Sequence, residues 1–331
     1  MRSRLARRGV VISFVCVMLL AELVARSDWY WTADPTSSVG MLKVIERLTA
    51  ERAPDPSVLF IGNSLMRDAV APVVVAEAMG APPSDVASLA IVGGRIADYL
   101  AFHDSLPDEL RVADTVVIGV DPRDFFPGIE PSNRVRYLTG VGPRWREETW
   151  RTRADLMLGW AWRTWDARRV TRGYAESVLL GRQPKPFVDD LGRIIFNPDD
   201  TGATQGTDFA AGVAEQYAEC AMSEVRLREF DDLVDRVERD GSSLVLINPL
   251  LNRDYLAAAE SASPGCIGRV HDRVTERTGL AVHDIQITST ACAVLSDCFH
   301  DYGHTNRTGA IEFSRAIGSW LSGAAPPAAG Q

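Results

Sequence analysis

The sequence has no Cys-x-x-Cys pair among its five cysteines, which argues against a zinc ribbon. It has no two histidines at helix-face zinc spacing within a helical pattern, so a metal hydrolase has little support. Basic residues are not in excess: 35 Lys+Arg stand against 44 Asp+Glu, a formal net charge of −9. A general nucleic-acid binder needs clustered cations for phosphate contacts, and nothing here is basic except the N-terminus. No internal repeat is apparent. No cofactor, metal or nucleic acid is expected. What is present is an ordinary globular composition, 46% hydrophobic and 24% charged in 331 residues, enough for one large domain or two smaller ones.

The N-terminus is the one basic stretch. Arg2, Arg4, Arg7 and Arg8 precede GVVISFVCVMLLAELVA, residues 9–25, an apolar run broken only by Glu22. A basic flank followed by an apolar run is an export signal. A cleaved signal peptide and a buried helix of a cytosolic protein are the other readings. No small-x-small cleavage site follows, because Leu23-Val24-Ala25 begins with a bulky residue, while Trp29, Tyr30 and Trp31 fit an interfacial belt. We therefore expect residues 1–31 to be an uncleaved membrane anchor through residues 9–25, with the arginines inside and the rest of the chain extracytoplasmic.

Cys16 lies within the apolar run. Cys220, Cys266, Cys292 and Cys298 are even in number outside it, compatible with two disulfides in any of three pairings.

Residues 32–56 read as a stalk with the amphipathic stretch MLKVIERL. Beyond it, SVLFI (57–61), VASLAI (86–91), TVVIGV (115–120), SLVLINPL (243–250) and LAVHDI (280–285) read as strands. Helical patterns separate them, RIADYLAFHDSL and EVRLREFDDLVDRVERDG among them, and TGAIEFSRAIGSWLSG closes the domain. Strands alternating with helices predict an α/β fold over 57–323 with a parallel sheet covered on both faces. The rhythm breaks at about 124–206, which reads as a partly helical insertion rich in Trp and Arg. Such a row can bind sugar rings or a polyanion, or simply pack as an amphipathic helix on its own domain. The tail 324–331 is expected to be disordered.

Ser64 stands in VLFIGNSLMRDAV, where a strand stops at Gly62-Asn63 and passes into a helix. A serine there is exposed beside the unpaired N–H groups of a helix start, which suits a nucleophile and equally suits a plain N-cap. A base and an orienting acid elsewhere would favour the nucleophile. SDCFHDYGHTNRTGA, residues 296–310, offers two Asp-x-x-His pairs, Asp297 with His300 and Asp301 with His304. An aspartate at that spacing can hold one imidazole nitrogen and leave the other free to take a proton from a serine.

In this order the pieces resemble the SGNH or GDSL-type hydrolases. GNSL at 62–65 is similar to the family's Gly-Asp-Ser block, SLAIVGG at 88–94 to its glycine block, VVIGV with DPRDF to the position of its Gly-x-Asn-Asp block, and Asp301-x-x-His304 to its last block. His304 is also the one that opens a His-x-Asn-x-x-Gly pattern, running to Gly309 before the final helix, as in the family. The resemblance covers roughly 57–123 and 224–321 and leaves the insertion unexplained. It implies a three-layer α/β/α sandwich with a flavodoxin-like parallel sheet, and Ser64 as nucleophile, His304 as general base and acid, and Asp301 as its orienter. It further implies an oxyanion hole from the N–H groups of Ser64 and Gly93. The third donor, an asparagine, is replaced by Asp121, whose charge would repel an oxyanion; Arg123 is the substitute donor the sequence offers. The anchor, the GNS variant and the Asp-x-x-His-x-Asn-x-x-Gly ending look like extracytoplasmic members acting on acyl groups of cell-envelope or exported polysaccharides. The implied activity is a serine esterase or O-acyltransferase, acetyl being the first acyl group to expect, with an acylated carbohydrate or acyl donor as substrate and envelope acyl-transfer proteins as partners. The competing reading is a non-catalytic carbohydrate-binding or assembly protein of the same fold.

Overall fold

A computed structural model describes residues 2–27, 30, 38–127, 138, 150–165, 186–195, 209–285, 287, 295–301 and 303–323. Trp29, Trp31, Cys292, much of the insertion and the tail 324–331 lie outside the described residues. The chain divides into two compact units, Met1–Val44 with Arg136–Lys185, and Ile45–Val135 with Pro186–Gln331.

In chain order the elements are α1 (Arg2–Ala25), α2 (Ser38–Arg52), β1 (Val58–Ile61), α3 (Ser64–Ala69), α4 (Pro72–Met79), β2 (Val86–Ser88), α5 (Ile96–Ser105), α6 (Asp108–Arg111) and β3 (Thr115–Gly119). Then come α7 (Trp150–Ala161), the hairpin β4 (Phe187–Val188) and β5 (Ile194–Ile195), α8 (Phe209–Tyr217), α9 (Glu224–Arg239), β6 (Ser243–Asn248), α10 (Arg253–Ala262), α11 (Cys266–Thr278), β7 (Val282–Asp284) and α12 (Arg307–Leu321).

The β-branched runs become a five-stranded parallel sheet in the order β2-β1-β3-β6-β7. Every residue of β1 is buried, as expected of a strand covered on both faces. Val58, Phe60 and Val117 pack with Met66, Val75, Phe313 and Ile317 of α3, α4 and α12. By the two-residue alternation, Leu59, Ile61, Val116 and Ile118, all buried, face the other way. Parallel crossovers are right-handed, so the connection β1 to β2 and those running β2 to β3 to β6 to β7 lie on opposite faces. The packing follows: α12 lies against α4 and α3, whereas α9 lies against α5 and α11. The strand order reverses beside β1, between β1 and β3, and in open α/β sheets that crevice is where loops at the carboxyl ends form a site. Ser64 follows β1 there and Asp121 follows β3.

Two glycines set α3 against the strand ends. A Cβ at Gly62 would lie 2.4 Å from Met66 Cγ, and one at Gly119 would lie 2.2 Å from the same atom. Their missing side chains are the space Met66 fills.

Within the second unit, the hairpin of the insertion packs on α4. Val73 N–H donates to Leu191 O at 3.1 Å, and Leu191 is buried with Ala71 and Val74. Cys220 and Cys266 form a disulfide, and Cys298 is disulfide-bonded as well; Cys16 is free and exposed. In the first unit α1 exposes its apolar side chains. Among the described residues no helix is long and apolar enough to cross a membrane.

Candidate active site

Ser64 is the first residue of α3, and Asn63 is its cap. Asn63 Oδ1 accepts from Leu65 N–H at 2.9 Å, satisfying one of the free donors of the helix start. The capping role open to Ser64 in the sequence therefore falls to its neighbour, and Ser64 Oγ is turned to another partner: His304 Nε2 at 2.9 Å.

His304 and Asp301 sit in a tight loop whose ends, Phe299 and Thr305, pair in an antiparallel bridge. Asn306 closes the loop from below. Its side chain caps α12 by accepting from Gly309 N–H at 3.0 Å and donates to Asp297 O at 2.7 Å, while its own N–H donates to Cys298 O at 3.0 Å. Gly309 is required there, since a Cβ would lie 2.1 Å from Cys298 O. Inside the loop Asp301 Oδ1 accepts from the N–H groups of Gly303 and His304, both at 2.7 Å, and Asp301 Oδ2 meets His304 Nδ1 at 2.8 Å. Burial opposes ionisation of Asp301, but these hydrogen bonds outweigh it and hold its carboxyl below the usual range. A charged Asp301 fixes the proton on Nδ1 and leaves Nε2 as the acceptor facing Ser64.

His300 does not meet the serine. Its ring stacks on His304, 14° from parallel with centroids 5.8 Å apart, and its Nε2 lies 3.9 Å from Asp68 Oδ2. Asp68 holds the His300 pKa above the ordinary imidazole value. Asp68, on α3, is in turn pushed down to about 2: burial opposes this, but His300 and the adjacent Arg67 prevail. The other member of that candidate pair, Asp297, lies in a short 3₁₀ turn and offers its carbonyl to Asn306. Phe299 between them is buried.

The glycine block reaches the serine through the backbone. Ile91 N–H donates to Gly62 O at 2.7 Å, and Gly93 stands two residues on with φ of 60°. Neither Ser64 N–H nor Gly93 N–H has a hydrogen-bond partner among the described residues.

Below the crevice lies a polar layer that the motifs did not reveal. Asp121, almost wholly buried, accepts from Asn63 Nδ2 at 2.7 Å and from Arg123 Nη2 at 2.7 Å, with Arg123 Nε at 3.1 Å. Burial would raise its pKa, yet the Arg123 charge and hydrogen bonds keep the carboxyl below the usual range. Arg123 also lies over the Tyr255 ring, 5.4 Å from its centroid, so its guanidinium is bound to Asp121 and Tyr255. Beside it Asp124 accepts from Arg95 Nη1 at 3.0 Å and Tyr99 OH at 2.8 Å; burial, with Asp121 nearby, pushes Asp124 up to about 7. The signal in the sequence was the density of charge in DPRDF, directly after a buried strand. Among the described residues no group of His, Cys, Asp and Glu is arranged to hold a metal ion.

With this geometry in hand, comparison adds no relative: the chain matches no protein-family model and no curated protein.

Proposed function

We propose that the chain is a serine acyl hydrolase or O-acyltransferase of the SGNH type, with Ser64, His304 and Asp301 as its triad. The observation that carries this reading is the unbroken line of contacts from Ser64 Oγ to His304 Nε2 at 2.9 Å and from His304 Nδ1 to Asp301 Oδ2 at 2.8 Å. Its parts come from residues 240 positions apart, placed at the carboxyl end of β1 where an α/β sheet puts its chemistry.

In the mechanism, Ser64 Oγ attacks an ester carbonyl while His304 Nε2 takes its proton, and the negative charge of the tetrahedral intermediate falls to the N–H groups of Ser64 and Gly93. His304 then returns the proton to the departing alcohol oxygen, leaving an acyl-serine. Water, or a sugar hydroxyl, gives its proton to His304 as it attacks the acyl-serine, and His304 passes that proton to Ser64 Oγ as the acyl bond breaks, which releases the acyl product and restores the serine. Whether water or sugar prevails depends on how far the pocket excludes water. The acyl donor would be an ester-linked, first of all acetylated, cell-surface or exported carbohydrate, handled outside a membrane that residues 9–25 enter.

One observation favours the non-catalytic reading: Asp121 stands where the resemblance expects an oxyanion donor, and Arg123 is bound to that carboxylate. Losing one such donor costs about a hundredfold or more in rate. Labelling of the full chain with a fluorophosphonate, followed by mapping of the modified residue, separates the two. Label on Ser64, lost in His304→Ala, supports the enzyme; no label on a folded chain supports the binding protein.

A further inference from the structure

The insertion carries an apolar surface that the proposed chemistry does not use. Along α7, Trp150, Met157, Leu158 and Trp160 fall within one arc of about 160° at 3.6 residues per turn, and all four are exposed, Trp150 by 80% and Trp160 by 63%. Among the described positions of α7 the buried one is Gly159. The described large apolar side chains of this helix face outward, and just beyond it Trp162 and Trp165 extend the surface. Soluble monomers rarely leave such a patch uncovered.

The same unit holds a second exposed apolar surface, and the two are tied together. Of ten consecutive side chains on α1, residues 11–20, all but one are exposed, so every face of the helix is apolar and open. Glu22, the one charge that interrupts this run, is the tie. Its carboxylate accepts from Arg163 N–H at 2.8 Å, from Thr164 N–H at 3.0 Å and Thr164 Oγ1 at 2.7 Å, and it pairs with Arg26 at 2.8 Å. The end of α7 is therefore fixed to the end of α1.

We infer that α1 and α7 form one membrane-facing surface, with the tryptophans of α7 seated in the headgroup region of a lipid bilayer beside the point where α1 meets it. This rests on reading residues 9–25 as a membrane anchor. A helix apolar on all sides suits a fluid apolar solvent and no single protein partner. A sugar-stacking row needs exposed polar groups between its rings, and here the exposed side chains described between Trp150 and Trp160 are Met157 and Leu158, Arg153 being half-buried. Indole rings are the side chains that settle at the bilayer interface. A carboxylate at that depth is costly unless paired, and Glu22 has all its bonds made within the protein.

The test places a nitroxide label on the full chain, in a Cys16→Ser background, reconstituted in vesicles of phosphatidylcholine and phosphatidylglycerol. Labels at Leu23→Cys, Leu158→Cys and Met157→Cys are compared with one at the exposed Asp232→Cys on α9, by their collision rates with oxygen, which partitions into lipid, and with a water-soluble nickel complex. The expected result is an oxygen-to-nickel ratio several-fold higher at 23, 157 and 158 than at 232. If 23 faces lipid while 157 and 158 match 232, the inference on α7 is overturned and the anchor stands. If 23 also matches 232, the anchor reading itself fails. Shielding of 157 and 158 from both reagents would mean a protein partner covers α7, which overturns the lipid surface too.

Discussion

Asn63 and Asp121 are joined across the head of the sheet, Nδ2 to Oδ2 at 2.7 Å, so the residue that caps α3 is held from beneath by a buried carboxylate. That carboxylate also neutralises Arg123. Replacing Asp121 with Ala strands a largely buried guanidinium and frees Asn63 at once. We expect a loss of about 3–5 kcal/mol, the range for breaking a buried ion pair, measured by urea denaturation. Asn63→Ala, which removes only the cap and one bond to Asp121, should cost about 1–2 kcal/mol. Equal losses in the two variants would deny the hierarchy.

The two histidines of the last loop should separate cleanly in activity. His304→Ala removes the group in contact with Ser64 Oγ and is expected to reduce hydrolysis of an activated acetyl ester by a factor of about 10³ or more. His300→Ala removes a neighbouring ring that never reaches the serine, and should keep most of the rate. The reverse ranking in two folded variants, judged by circular dichroism and initial rates, would sink the assignment.

Asp68 and His300 give stability a pH window. Asp68 is depressed in the folded state, so its contribution is present above its unfolded value of about 4 and is lost as pH falls toward 2. It amounts to something on the order of 2 kcal/mol. Asp301 acts in the same direction. His300 is raised, so its contribution is complete below its unfolded value of about 6.5 and disappears as pH climbs through the folded value. The raised pKa of Asp124 tilts the whole curve the other way at acid pH, so the window shows as a difference: the urea-midpoint advantage of wild type over Asp68→Asn should be greater at pH 5 than at pH 3 or pH 8. In Asp68→Asn both slopes should shrink together, because one carboxylate serves both; a wild-type slope on either side of pH 5 in that variant would contradict this.

Gly62→Ala forces a methyl group onto Met66 Cγ. Overpacking of this kind costs about 1–3 kcal/mol, and here relief requires α3 to move, taking Ser64 with it. The rate of fluorophosphonate labelling should fall more than stability does. A fully reactive Gly62→Ala variant would show that Met66 can turn aside.

Thiol counting on denatured, unreduced protein should find Cys16 reactive and none of the four later cysteines. The Cys220–Cys266 bond closes a loop of 46 residues, for which chain entropy gives about 4 kcal/mol. Reduction should lower the urea midpoint accordingly.

Much of the sheet was legible because buried parallel strands are written as unbroken apolar runs: VLFI, VVIG and LVLIN became β1, β3 and β6 nearly to the residue. VASLAI gave only three strand residues, since Leu89 and Ile91 leave the strand to bond Phe60 O and Gly62 O and so start the glycine turn. Ser64, Asp301 and His304 were legible as types at a spacing, and the structure places them in contact. The capping of α3 was not, because Ser and Asn are equal candidates until the side chains are placed. Nor was the layer of Asp121, Arg123, Asp124 and Arg95, whose partners lie in loops after different strands and leave no periodic trace. Glu22 read only as a flaw in an apolar run; its partners, Arg163 and Thr164, stand more than a hundred residues away.

Ser314 on α12 accepts from Ala71 N–H at 2.7 Å and donates to Ala69 O at 3.2 Å, which fastens the helix behind His304 to the end of the helix that begins with Ser64. During synthesis, then, the serine emerges early and waits. A chain leaving the ribosome N-terminus first has no Ser64–His304 contact until α12 has followed and docked, so the pair is assembled only with the final closure of the fold.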